Sequence, residues 1–104
     1  MERFITLPEV FGNTKDPKKY IKIQYWGSWG YRARCDLVME ALNSRFPNHF
    51  QYLLVADTDL TGNFEITLHE DAACSSEGFI VHSYHKSKSF PDANMNALFK
   101  LIKN

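Results

Sequence analysis

Between Lys19 and Val55 the hydrophobic period of the chain switches twice, and that switch limits the available folds more than any other feature. Ile21, Ile23 and Tyr25 alternate with Lys22 and Gln24, the period of a strand with one buried face. Gly27 and Gly30 break the run. Tyr31, Cys35, Val38, Leu42 and Phe46 then recur every three or four residues, with Arg32, Arg34, Asp36, Glu40 and Arg45 between them, the stripe of an amphipathic helix. Ser28 is the expected N-cap and Pro47-Asn48 the stop. Phe50 to Val55 carries little polarity and reads as a strand buried on both faces. Strand, helix and strand in that order predict a right-handed crossover joining two parallel strands.

Asp57 to Gly62 reads as a loop. Phe64 to His69 and Phe79 to Tyr84 alternate on either side of the small, polar connector Glu70 to Gly78, which predicts an antiparallel hairpin. A second helix is expected from Pro91-Asp92, because Met95, Leu98, Phe99 and Ile102 fall at i, i+3, i+4 and i+7, with Lys100 and Lys103 toward its negative end. The fold class is α/β, a βαβββα domain with a mixed sheet and both helices on one face. Pro8, Gly12, Asn13 and Pro17 leave no room for a long element in residues 1–18. They read as an N-terminal extension packed down by Phe4, Ile5 and Phe11, ahead of a domain over 19–104.

Charge and cysteine content narrow the function classes. Among 104 residues, 12 Lys and Arg balance 12 Asp and Glu, so nothing pulls the chain onto nucleic acid or an anionic membrane surface. Two cysteines, Cys35 and Cys74, cannot build a disulfide framework. That favours a reducing compartment. Met1 to Lys19 contains no apolar run suited to a signal or a membrane span, and no Asn-x-Ser/Thr site occurs. A cytoplasmic protein is expected.

The turn Tyr25-Trp26-Gly27-Ser28-Trp29-Gly30-Tyr31 falls at the carboxyl end of a parallel strand, where open α/β sheets place their ligands. Its two tryptophans, at i and i+3 before a helix, have the spacing of a Cys-x-x-Cys pair without the sulfur. The stretch from Ile21 to Asn48 resembles the selenoprotein W (Rdx) family, whose members read Tyr-Cys-Gly-x-Cys/Sec-Gly-Tyr and continue into a helix ending near Phe-Pro. Thr61-Gly62-Asn63-Phe64-Glu65-Ile66 resembles the family's Thr-Gly-x-Phe-Glu-Val segment. Val81-His82-Ser83 and Lys88-Ser89-Phe90-Pro91 resemble its Ile-His-Ser strand and Gly-Phe-Pro approach to the last helix.

This resemblance runs from about Lys19 to the C-terminus and implies a thioredoxin-like fold, a monomer, and thiol or selenol redox homeostasis with glutathione as co-substrate. It places the redox pair at Trp26 and Trp29, with Tyr25, Gly27, Ser28, Gly30, Tyr31, Thr61, Gly62 and Phe64 as motif neighbours. It also implies docking of a 14-3-3-type adaptor through the same turn. The chain departs from the family at the decisive positions, because an indole neither ionises near neutrality nor attacks a disulfide. As it reads, the chain has no catalytic residue at that turn, no resident cofactor and no metal.

Three accounts of the tryptophans stand side by side. They are core aromatics at a turn; or they are an exposed anchor for a partner on a site that has lost catalysis; or they stand where the natural protein has Cys or Sec, since UGG lies one base from the cysteine codons and from UGA. Elsewhere the ordinary readings prevail. Cys35, on the helix stripe, is a small buried hydrophobe. Cys74, in a polar connector, is the better exposed thiol. His49, His69, His82 and His85 make no metal site, the pair His82 and His85 pointing apart on a strand. Asp57, Asp59 and Glu65 are solvated loop charges, and Arg32, Arg34, Lys86, Lys88 and Lys100 a small basic area near the turn.

Overall fold

A computed structural model describes residues 8–27, 30–74, 78–91 and 94–103. In chain order it contains β1 (Glu9–Gly12), β2 (Lys19–Trp26), α1 (Tyr31–Arg45), β3 (Phe50–Asp57), β4 (Phe64–His69), β5 (Phe79–Ser83), α2 (Tyr84–Ser87) and α3 (Met95–Lys103). The strands form one sheet in the order β1-β3-β2-β4-β5. β2 and β3 are parallel, with Ile21 opposite Tyr52 and Tyr25 opposite Ala56, as a crossover through α1 requires. β4 pairs antiparallel with β2 and with β5.

One face of the sheet makes the core. Ile21, Ile23, Phe50, Tyr52, Leu54, Phe64 and Ile66 are all at most 1% exposed and pack with Cys35, Val38, Met39 and Leu42 of α1 and Leu98 of α3. The rings of Phe46 and Phe99, 6.0 Å apart, join the two helices on that face. This mixed sheet covered by two helices on one side is a thioredoxin-like α/β architecture.

Four sequence expectations are corrected. β3 is not buried on both faces: Phe50, Tyr52 and Leu54 are buried while Gln51, Leu53 and Val55 are half-buried, because α1 and α3 share a face and leave the other to solvent. The N-cap position of α1 is Gly30, not Ser28; Ser28 lies outside the described residues. β5 stops at Ser83, where the Ser83 hydroxyl accepts the Lys86 N–H at 3.3 Å and starts the short helix α2. α3 begins at Met95 rather than at Pro91, with the Asn94 side chain accepting the Ala97 N–H at 3.4 Å. The hairpin carries a bulge as well. Ile66 faces His82 but Thr67 faces Ile80, so Val81 is one residue extra and its side chain turns into the core.

Within residues 1–18 the turn signals conceal an edge strand. β1 pairs antiparallel with β3, Phe11 opposite Tyr52, and Phe11 packs on the core; Phe4 and Ile5 lie outside the described residues. Gly12 closes the strand at φ 82, and a Cβ there would sit 2.5 Å from the Phe50 carbonyl oxygen, so backbone contact as well as turn geometry demands glycine. Arg32 of α1 fastens β1 from above, with its guanidinium 5.1 Å from the centre of the Phe11 ring and 3.7 Å from Glu9. None of the helices among the described residues is long and apolar enough to cross a membrane.

Candidate functional site

The turn leaves β2 at Trp26 and enters α1 at Tyr31, and the backbone fixes both sides of it. The Trp26 N–H donates to the Asn63 carbonyl at 2.9 Å and the Gly27 N–H to the Asp57 carbonyl at 3.0 Å. Gly30 supplies the left-handed conformation, φ 77, that lets the chain start α1. Among the described residues no side chain caps that helix and no acid occupies its first turn, so the positive end of its dipole is left for whatever the turn carries.

Tyr25 points into the core at 4% exposure, and burial is the main cause that lifts its phenol above the ordinary value. Trp26 is half-buried. Its ring meets Tyr31 edge-on at 5.5 Å and 80°. Tyr31 in turn lies 5.3 Å from Phe90 and 6.3 Å from Phe64, and the Arg34 guanidinium stacks 3.8 Å over Phe90. Trp26 is therefore an aromatic on the rim of the core rather than in it. Trp29 and Ser28 lie outside the described residues.

The segment Asp57 to Phe64 is the other half of the site. The Asp57 carboxylate accepts from Gln24 at 3.0 Å, from the Thr61 hydroxyl at 2.8 Å and from the Asn63 amide at 2.7 Å. Thr61 also accepts the Asn63 N–H at 3.2 Å, and Gly62 turns between them at φ 65. Phe64 is fully buried beneath Tyr31 and Phe90. Glu65 accepts the Ser83 hydroxyl, and the Tyr84 N–H at 2.7 Å, which anchors α2 beside the loop. The Thr-Gly-Asn-Phe-Glu motif is thus the brace of the turn.

That corrects the reading of Asp57 and Glu65 as solvated loop charges. Burial opposes ionisation of Asp57, but the three donors and Lys22 outweigh it and hold the carboxyl below its ordinary value. A lowered folded value means that the contribution is complete above the unfolded value near 3.8 and drains away as pH falls through the folded one. The urea midpoint of the parent should therefore fall between pH 5 and 2 more steeply than that of Asp57→Asn. Parallel acid profiles would remove Asp57 from the brace.

The cysteines are buried, and the histidines form no metal site among the described residues. Cys35 is 0% exposed and burial pushes its thiol up to about 12. Cys74 is buried too, at 8% exposure, contrary to the expectation of an exposed thiol. The connector folds it inward at φ 51, and burial, then Asp71, raises its thiol as well. His85 stands on α2, not on a strand with His82, and no group of three metal-ligating side chains occurs among the described residues.

Of the expected basic area, Arg32 lines the depression beside the turn, and Lys100 does not join it. Arg32 pairs with Asp36 at 3.0 Å, and Lys100 groups with Arg45 and Phe99 at the far end of α1, about 21 Å along the helix.

Tyr25, Trp26, Gly27, Arg32, Asp57 and Thr58 line an open depression of about 440 Å³ beside the turn. A larger recess of about 760 Å³ lies at the opposite end of α1, between Gly12–Lys18 and Asn43–Asn48. No cysteine or histidine is among the residues that line it. Three contributors to the site escaped sequence reading, namely Asn63, His85 and Phe90 as a stacking partner. Only Asn63 had a local signal, a Thr-Gly-Asn turn four residues after an aspartate. A family model described as the Rdx family matches residues 20–104. No curated protein and no solved structure matches the chain.

Proposed function

The chain belongs to the Rdx family, and on that premise we propose that it is a cytoplasmic selenoprotein-W-like protein of thiol and selenol redox homeostasis, with glutathione as co-substrate, whose working positions are 26 and 29. The observation that carries the reading is the placement of residue 26. It ends a parallel strand, is held by its own N–H, and its side chain meets Tyr31, the first residue of α1, a helix that no described side chain caps; a helix N-terminus is the setting that lowers a thiol's pKa. With tryptophan at both positions the chain does no thiol–disulfide exchange, since its remaining thiols are buried and raised.

The test substitutes cysteine at both positions and offers oxidised glutathione. Exchange should be absent in the chain as it reads and present in Trp26→Cys/Trp29→Cys.

A second reading is favoured by a different observation: Trp26 is only half-buried and Leu60, in the adjoining loop, is 79% exposed. Such a pair suits an apolar anchor at a protein interface, and by family resemblance the occupant is a 14-3-3-type adaptor. Trp26→Ala/Trp29→Ala should weaken binding to a purified adaptor of that type at least about tenfold, the scale of a lost hot spot. Unchanged titration curves would end this reading.

A further inference from the structure

The brace described above continues outward to a residue that no motif marks. His85 Nε2 lies 2.6 Å from Asn63 Oδ1, and the orientation of that amide is fixed by chemistry on its other side. Asn63 Nδ2 faces the Asp57 carboxylate at 2.7 Å, and a carboxylate only accepts, so the nitrogen must be on that side and the oxygen toward His85. An amide oxygen also only accepts. His85 Nε2 must then carry the proton it donates.

The ring is held there by its helix. α2 is fixed at its start by Glu65, which takes both the Ser83 hydroxyl and the Tyr84 N–H, and by the Ser83 cap on Lys86. The resulting chain of contacts is continuous from α2 to the turn: His85, Asn63, then the Trp26 N–H on the Asn63 carbonyl and the Gly27 N–H on the Asp57 carbonyl.

We propose that His85 is a positioning residue for the turn, donating from Nε2 to Asn63 and thereby holding the backbone of residues 26 and 27 in register with the loop 57–63. Its role rests on the reading of position 26 as a working position, but its geometry can be tested apart from that reading. His85 is exposed on α2; its ring lies edge-on 6.3 Å from Tyr84, and it is not among the residues that line the depression beside Trp26. Removing it therefore releases the loop without opening a cavity.

The first readout is amide hydrogen exchange in the full chain. His85→Ala should speed exchange of the Trp26 and Gly27 amides about three- to tenfold, the range expected for one net hydrogen bond, and leave the Ile23 amide unchanged. His85→Gln, whose side-chain amide can donate over a similar reach, should bring both back to within about twofold of the parent. Nitrogen NMR of the neutral imidazole should find the proton on Nε2.

Exchange that rises equally at Trp26 and Ile23, or at neither, overturns the proposal, and so does a glutamine variant that behaves like alanine or an Nδ1–H tautomer. In Trp26→Cys/Trp29→Cys, adding His85→Ala should slow disulfide closure by a similar factor. If that cysteine chain performs no exchange at all, the redox reading fails while amide exchange still judges the clamp.

Discussion

Replacing Phe64 with alanine should lower the unfolding free energy by about 3–5 kcal/mol, the usual cost of emptying a fully buried phenylalanine site. Phe64 is 0% exposed and stands where three structures meet. Its ring lies 6.3 Å from Tyr31, 5.5 Å from Phe90 and 6.3 Å from His82, and in the sheet it faces Tyr25. The neighbours come from α1, from β5 and from the segment before α3, so they cannot collapse together without moving those elements. A domain of this size has roughly 5–15 kcal/mol in all. The loss is accordingly a large share, and urea titration should show the midpoint falling with little change of slope. Trp26 emission should shift as well, because Tyr31 loses its floor. A loss under about 1 kcal/mol would show that Phe64 is not the keystone of the site.

The second large effect is chemical. In the chain as it reads, burial pushes the Cys35 thiol up to about 12, so its thiolate is scarce at pH 7 and out of reach of a disulfide. In Trp26→Cys/Trp29→Cys both new cysteines precede α1 in the chain, and among the described residues no side chain caps that helix. On the proposed reading a thiolate there should attack one sulfur of oxidised glutathione; the S–S bond breaks, a protein–glutathione disulfide forms and one glutathione leaves as thiolate. The second cysteine then attacks the protein sulfur, closing an internal disulfide and releasing the other glutathione. One protein dithiol is oxidised and one glutathione disulfide is reduced to two thiols.

Free-thiol counts and peptide mass should show two thiols lost from the substituted chain and none from the parent. Two further arms decide the roles. A single Trp26→Cys chain should stop at the mixed disulfide. A doubly substituted chain that stays reduced in oxidised glutathione would refute the assignment of the redox pair.

Much of this architecture follows from local pattern. The alternation Ile21, Ile23, Tyr25 and the stripe Cys35, Val38, Leu42 identify β2 and α1 because a residue's face is decided by backbone period alone. The same periods place the turn at the end of β2, and the residue letters at 26 and 29 already exclude thiol chemistry there. Three of the places where local pattern misjudged the structure have distinct physical reasons. Phe50 to Val55 looked doubly buried because Leu53 and Val55 are apolar, yet which sheet face is covered depends on where α1 and α3 pack. Glu9–Gly12 was hidden because a four-residue edge strand has too few residues to show a period, and its stability comes from pairing with β3. Cys74 looked exposed because its neighbours are polar, but the connector turns it inward.

What the sequence determined by itself, then, is the strand–helix–strand–hairpin–helix order of the main elements, the apolar faces of β2 and α1, and the chemistry absent from positions 26 and 29. The tertiary structure alone decided how the site is braced. Gln24, Asp57, Asn63 and His85 are separated by 6 to 61 positions, and no period in the chain relates them. They meet because the parallel pairing of β2 with β3 brings Asp57 beside the end of β2, while the hairpin β4–β5 returns α2 over the loop. Hydrogen-bond chemistry then selects the partners, since a carboxylate with three donors and an amide oriented by it leave only one place for the imidazole proton.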